Sequence, residues 1–310
     1  MNLQFLKDSK PFSQLFAVLL ISMGIGILVS LTGILISALF VDGNILTRIE
    51  LMDRMQHEGD LGLMKYLQVL SQLGFFILPA VIFGFFVNKN ISQFFLLEKA
   101  PKITVLFLGL FTIIAAVPFS DWLIYQNNLM KLPASMADLE QWMRIAEEKA
   151  AHMTNLFLQM DSLSDYLINI FMIGILAAVG EELLLRGVLQ PLFIKITKNA
   201  HAGIWIAAFV FSFIHFQFYG FFARLFMGAI LGYLFYYTNN LWIPIIVHFF
   251  NNSAAVTYVY ITNTPLDSTN LSEIAIQENG GLYAIISLLL VILGLYVLYS
   301  MRQKTLLVRK

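Results

Sequence analysis

Apolar residues in this chain come in long unbroken runs. The first, Leu15 to Val41, holds about 27 residues and no charged one. A helix needs about 20 apolar residues to cross a bilayer. A secretory-signal core has only about 7–15, so this run reads as a retained span. Further runs of spanning length lie at roughly 66–87, 103–119, 163–185, 202–218, 221–238, 241–262 and 282–300. The pattern predicts an all-α fold, a polytopic membrane bundle of about eight transmembrane helices.

Between 120 and 162 the pattern changes. PASMADLEQWMRIAEEKAAHM has a helical period, with Met136, Leu139, Met143, Ala146 and Ala150 as its apolar stripe. Ser135 is the expected N-cap. This amphipathic helix is expected outside the membrane, lying on the outer surface, packing over the bundle or serving as a solvated linker. Four regions follow: helices one to three (1–119), the extramembrane segment (120–162), helices four to seven (163–262), and a loop, last helix and basic tail (263–310).

Charge adds orientation. Lys7 and Lys10 precede the first run, Lys89, Lys99 and Lys102 separate the second and third, and Lys195 and Lys198 separate the fourth and fifth. Arg302, Lys304, Arg309 and Lys310 form the tail, whereas 263–281 carries Asp267, Glu273 and Glu278 with no Lys or Arg. The positive-inside rule then puts both termini in the cytoplasm, in what is expected to be a bacterial cell (inner) membrane. Arg48, Arg54 and Lys65, on the expected outer side, run against it.

Composition agrees and excludes. Hydrophobic residues make up 59% and charged ones 12%, about half the charge of a soluble domain. Nineteen basic residues balance nineteen acidic ones, so no net field recruits nucleic acid. Without cysteine there is no disulfide, thiolate zinc site or cysteine nucleophile. The expected partners are the bilayer and a peptide or membrane-protein substrate.

Three places break the apolar pattern. AAVGEELLLRG places Glu181, Glu182 and Arg186 at the end of the fourth run. Charges at membrane depth cost at least about 2.5–3.5 kcal/mol each, so they usually serve a polar cavity. Glu182 and Arg186, four apart, share a helix face and can pair, while Glu181 points about 100° away. Alternatively, the helix simply ends there, its charges wetted by headgroups. FSFIHFQF places Phe211 and His215 one turn apart, and WIPIIVHFFNN does the same for His248 and Asn252. An intramembrane Asn also serves merely to pack helices.

Together these residues form the inventory of a hydrolytic site. A carboxylate takes a proton from water and an imidazole orients that water. A His–Asn pair donates to an oxyanion. Two imidazoles and a carboxylate (Glu181, His215, His248) suit a Zn²⁺ ion equally. The loop or span-end histidines His57, His152 and His201 stand outside this set.

The ordered motifs EExxxR (Glu181, Glu182, Arg186), FxxxH (Phe211, His215) and HxxxN (His248, Asn252) resemble those of the CPBP intramembrane proteases. This is the CAAX-protease and bacteriocin-processing, or Abi, family. The resemblance covers roughly 165–260. It implies peptide-bond hydrolysis in or beside the membrane, with Glu181 as general base and His215 sharing the water. His248 and Asn252 would then hold the oxyanion, and Arg186 would hold Glu182. It leaves open a metal-dependent or a metal-free mechanism. Bacteriocin-type immunity and a non-catalytic scaffold or transporter subunit are the competing roles, although no internal repeat of the transporter kind is present.

Overall fold

The computed structural model describes residues 6–40, 61–264 and 279–308. Every regular element among them is helical. In chain order these are α1 (Pro11–Phe40), α2 (Leu61–Val87), α3 (Ile103–Leu129), α4 (Ala137–Phe157), α5 (Leu163–Thr197), α6 (Ala200–Phe213), α7 (Phe221–Thr238), α8 (Trp242–Thr262) and α9 (Gly280–Val308). A single helical turn, Ile91–Phe94, lies between α2 and α3. Each of the eight apolar runs is thus a helix, and α4 is the amphipathic one.

Among the described residues, six helices are long and apolar enough to cross a membrane: α1, α2, α3, α5, α7 and α9. The chain is a multi-pass membrane bundle. The two exceptions carry the second and third motifs. α6 has 14 residues, about 21 Å at 1.5 Å per residue, short of the ~30 Å hydrocarbon core. α8 has 21 residues, but His248, Asn251 and Asn252 dilute its apolar character.

Four boundaries differ from the sequence reading, and one is α6, which ends at Phe213 and not at 218. α3 does not stop at 119 but runs through Asp121 to Leu129. Ser135 does not cap α4: a 3₁₀ turn at Ala134–Met136 leads in, and Met136 caps without a side-chain bond. α5 continues to Thr197, 35 residues in all, so its charges do not mark its end.

Asparagines set the turns around the motif helices. Asn199 caps α6 by accepting from the Ala202 N–H at 3.1 Å. Asn239 ends α7 in the left-handed region at φ 47°, and Asn263 ends α8 likewise at φ 49°; Asn tolerates this conformation better than most residues. Asn240 then accepts from the Trp242 N–H at 2.9 Å to start α8.

Among the described residues, three apolar clusters hold the bundle, the smallest of them around Leu158, Met160, Val256 and Val259. One gathers α1, α2, α5, α6, α7 and α8 around Phe83, Phe95, Leu185, Val188 and Leu241. Another packs α3, α7, α8 and α9 around Ile113, Ile230, Leu234 and Val247. At Pro118, which cannot donate within α3, the Ser287 hydroxyl of α9 inserts into the ladder. It accepts from the Phe119 N–H at 3.1 Å and donates to the Ala115 carbonyl.

Candidate active site

One π-helical stretch, Ile170–Leu176, precedes the first motif on α5, and a second, Leu185–Leu189, contains its Arg186. Such widened turns recur at functional sites because they re-aim side chains within a helix. Glu181 is 6% exposed, Glu182 0% and Arg186 1%. The wetted-interface alternative therefore fails.

Glu182 sits between two donors. Its Oε1 accepts from Arg186 Nη1 at 2.7 Å and from His248 Nδ1 at 2.9 Å. The pairing expected from the four-residue spacing is present. Arg186 is held on two further sides: Nη2 donates to the Gly228 carbonyl of α7 at 2.9 Å, and its guanidinium lies 5.0 Å from the Phe211 ring centre. One turn on, Gln190 Nε2 donates to the Gly232 carbonyl at 3.0 Å. Residues four apart on α5 thus bond carbonyls four apart on α7, which fixes the register of the two helices. Glycine at 228 permits the approach, since a Cβ there would fall 2.8 Å from Phe211 Cδ1.

A carboxylate only accepts, so His248 Nδ1 carries the proton in its bond to Glu182. In a neutral ring, Nε2 is then an acceptor. It faces Glu181 Oε2 at 3.8 Å. That separation is too long for a direct hydrogen bond, and in this geometry both groups need a donor.

His215 lies just past the end of α6. Its Nδ1 bonds the Phe211 carbonyl at 2.7 Å, its ring meets the Phe211 ring edge-on at 5.0 Å, and it is within electrostatic reach of Glu181 and His248. Phe216, the next residue, adopts φ 51°, a strained conformation for a bulky side chain and one concentrated at functional sites. Phe211 therefore touches Arg186, His215 and His248 at once.

Asn252 also joins two helices. Its Nδ2 donates to the Ile173 carbonyl in the first π-helical stretch at 3.0 Å, so one of its two hydrogens is committed to joining α8 to α5. Among the described residues, no three His, Asp or Glu side chains gather in a way that holds an ion. The Nδ1 atom of each motif histidine is bound elsewhere, which leaves its Nε2 as the free ring nitrogen.

The sequence reading missed the supports of the site. Gln190 carries the same spacing signal as Arg186, since 182, 186 and 190 repeat every four residues. Gln72 of α2, buried at 7% exposure, brings its Oε1 toward Gly180, beside Glu181. The helix α4 reaches the loop after His215: Glu147 accepts from the Tyr219 N–H at 3.0 Å, and Trp142 lies 5.3 Å from Phe218. No periodicity signals a contact 72 residues apart. Of the loop histidines, His201 bonds the Tyr233 hydroxyl at 2.9 Å, and His57 lies outside the described residues.

Residues 163–254, α5 through most of α8, match the family model described as Type II CAAX prenyl endopeptidase Rce1-like. All seven motif side chains fall inside that match. The Uncharacterized protein YpbD of Bacillus subtilis (strain 168) is 32% identical over 85 residues, 26% of this chain and 40% of that relative. The match therefore spans well under two thirds of that relative's length. No solved structure matches the chain.

Proposed function

We propose that this chain, whose residues 163–254 form a Type II CAAX prenyl endopeptidase Rce1-like domain consistent with the CPBP family, is an intramembrane endopeptidase acting through glutamate-activated water. The observation that carries the reading is the buried 3.8 Å gap between Glu181 Oε2 and His248 Nε2. A water within about 2.8 Å of both can donate one hydrogen to each, leaving its lone pairs free to attack a carbonyl carbon.

The roles differ in part from those the resemblance implies. Glu181 takes the proton as general base. His248, held in one tautomer by Glu182, is the second acceptor on the water rather than an oxyanion donor. This is the orienting relation that a buried carboxylate has with a catalytic histidine. His215 donates its Nδ1–H to the Phe211 carbonyl, so its Nε2 is the group available to relay a proton toward the leaving amine. Water and peptide bond then become carboxylate and amine. Arg186 neutralises Glu182, and Asn252 positions α8 against α5. No step calls for a metal.

The basic residues that flank even-numbered loops support cytoplasmic termini in a bacterial cell membrane. The direct test compares the proteome of membranes holding the wild-type chain with that of membranes holding Glu181→Gln. A membrane-protein fragment that appears only with the wild type is expected. Identical fragment patterns would reject proteolysis and leave the immunity or scaffold role.

A further inference from the structure

A second polar feature lies at the ends of other helices. The loop 96–102, the C-terminal turns of α7 and α9 and the start of α8 enclose a cleft of about 530 Å³, within the size range of small-molecule sites. Lys99, Lys102 and Arg302 line it, with Glu98 as its one carboxylate. No acid forms an ion pair with these cations among the described residues. Glu98 instead accepts from Asn90 at 3.4 Å. Three cations against one carboxylate leave two positive charges uncompensated.

Arg302 is the most telling of the three. Its guanidinium lies 4.1 Å from the Tyr236 ring centre, and its buried Nε has no hydrogen-bond partner. A buried donor without an acceptor is costly unless a ligand supplies one. The cleft is also fixed in place: Asn240 Nδ2 donates to the Lys99 carbonyl at 2.8 Å, and Trp242 Nε1 to the Leu97 carbonyl at 3.0 Å. The rest of its lining combines the polar residues Thr238, Asn239 and Asn240 with an apolar wall of Leu96, Val105 and Met301, of which Leu96 and Met301 are exposed. A small soluble anion has no use for that wall, whereas an amphiphile uses both parts.

We propose that this cleft binds an anionic phospholipid. Its phosphate oxygens would meet Lys99, Lys102 and Arg302, and an acyl chain would lie along Leu96, Val105 and Met301. A zwitterionic choline headgroup would bring a cation against the uncompensated positive charge. Basic pockets between helices at a membrane surface suit such headgroups, and each Lys or Arg is worth about fivefold in affinity.

The test is a thermal-stability titration of the full chain in detergent with phosphatidylglycerol, phosphatidylcholine or inorganic phosphate. Phosphatidylglycerol alone should raise the melting temperature saturably. In Lys99→Gln/Lys102→Gln, two exposed changes, its apparent affinity should fall about 25-fold, and Arg302→Gln should lower it about a further fivefold. Lys195→Gln/Lys198→Gln, outside the cleft, should bind as the wild type does. Equal stabilisation by phosphatidylcholine or by inorganic phosphate would overturn the proposal. So would an equal loss in the Lys195/Lys198 variant, which would show diffuse surface attraction. These readouts do not depend on proteolysis, so they stand or fall apart from the catalytic reading.

Discussion

Helices α1 and α5 invert the rule that governs soluble proteins. The most apolar window of α1 has a mean hydropathy of 2.5 and is 11% buried, whereas that of α5 has 1.9 and is 56% buried. In water the greasier helix would occupy the core. In lipid the apolar side chain gains nothing by leaving the solvent, so Phe12, Phe16 and Leu28 of α1 stay exposed at 69%, 64% and 64%. Polar groups are the ones driven inward, where partners exist. Hydropathy therefore marks the periphery of this bundle, and interruptions of hydropathy mark its centre.

Breaking that contrast begins where chemistry depends on it. If Glu181 activates water, Glu181→Gln should lower cleavage by about 10²–10⁴-fold. The measurement is hydrolysis of a substrate recovered from the membrane comparison. Because Gln is nearly isosteric, the thermal transition should stay in place. Normal hydrolysis in this variant would strip α5 of its catalytic role.

The next largest effect is on folding. Arg186→Ala removes the partner of a fully buried carboxylate and should destabilise the bundle by about 3–5 kcal/mol. Gln190 and Gly228 cannot replace the lost charge. Adding Glu182→Gln should recover part of that loss, since the second change removes the stranded charge. Denaturation in mixed micelles measures both. If Arg186→Ala melts with the wild type, the buried Glu182–Arg186–His248 chain contributes no stability.

The contrast also explains what was legible from the sequence. Eight apolar runs located eight helices, because spanning length is set by bilayer thickness. The six polar motif residues stood out because each breaks such a run. Boundaries were less visible: Asp121 reads as the start of a polar loop, yet α3 continues through it. Supports such as Gln72 and Glu147 escaped because their partners are distant in sequence, and neither spacing nor composition records that. The role proposed for His248 was hidden for the same reason. It rests on which Nδ1 reaches Glu182, a fact of packing.

Glycines sharpen the comparison, because one substitution can be placed in both helices. Gly187 of α5 faces the Phe95 ring, and a Cβ there would lie 2.5 Å from Cδ1. Phe95 is 1% exposed and has little room to retreat. Gly187→Ala should therefore cost about 1–3 kcal/mol through overpacking, read as an earlier transition in the same denaturation series. An unchanged transition would mean that this part of the core yields.

The smallest effect should have the opposite sign. At Gly24 of α1 a Cβ would meet nothing within 4 Å, so Gly24→Ala adds a methyl group to a surface that already faces lipid. Alanine is favoured over glycine in a helix by about 0.5–1 kcal/mol, and no packing term opposes it. The bundle should be unchanged or more stable by up to about that amount. Gly26, half a turn away, is the internal control: a Cβ there would lie 2.2 Å from the Phe75 ring of α2. Gly26→Ala must displace that ring and should destabilise. If both variants shift the transition alike, α1 does not present one face to lipid and the other to α2, and the contrast with α5 is lost. Opposite shifts two residues apart would place the lipid boundary on α1 to within a single helical turn.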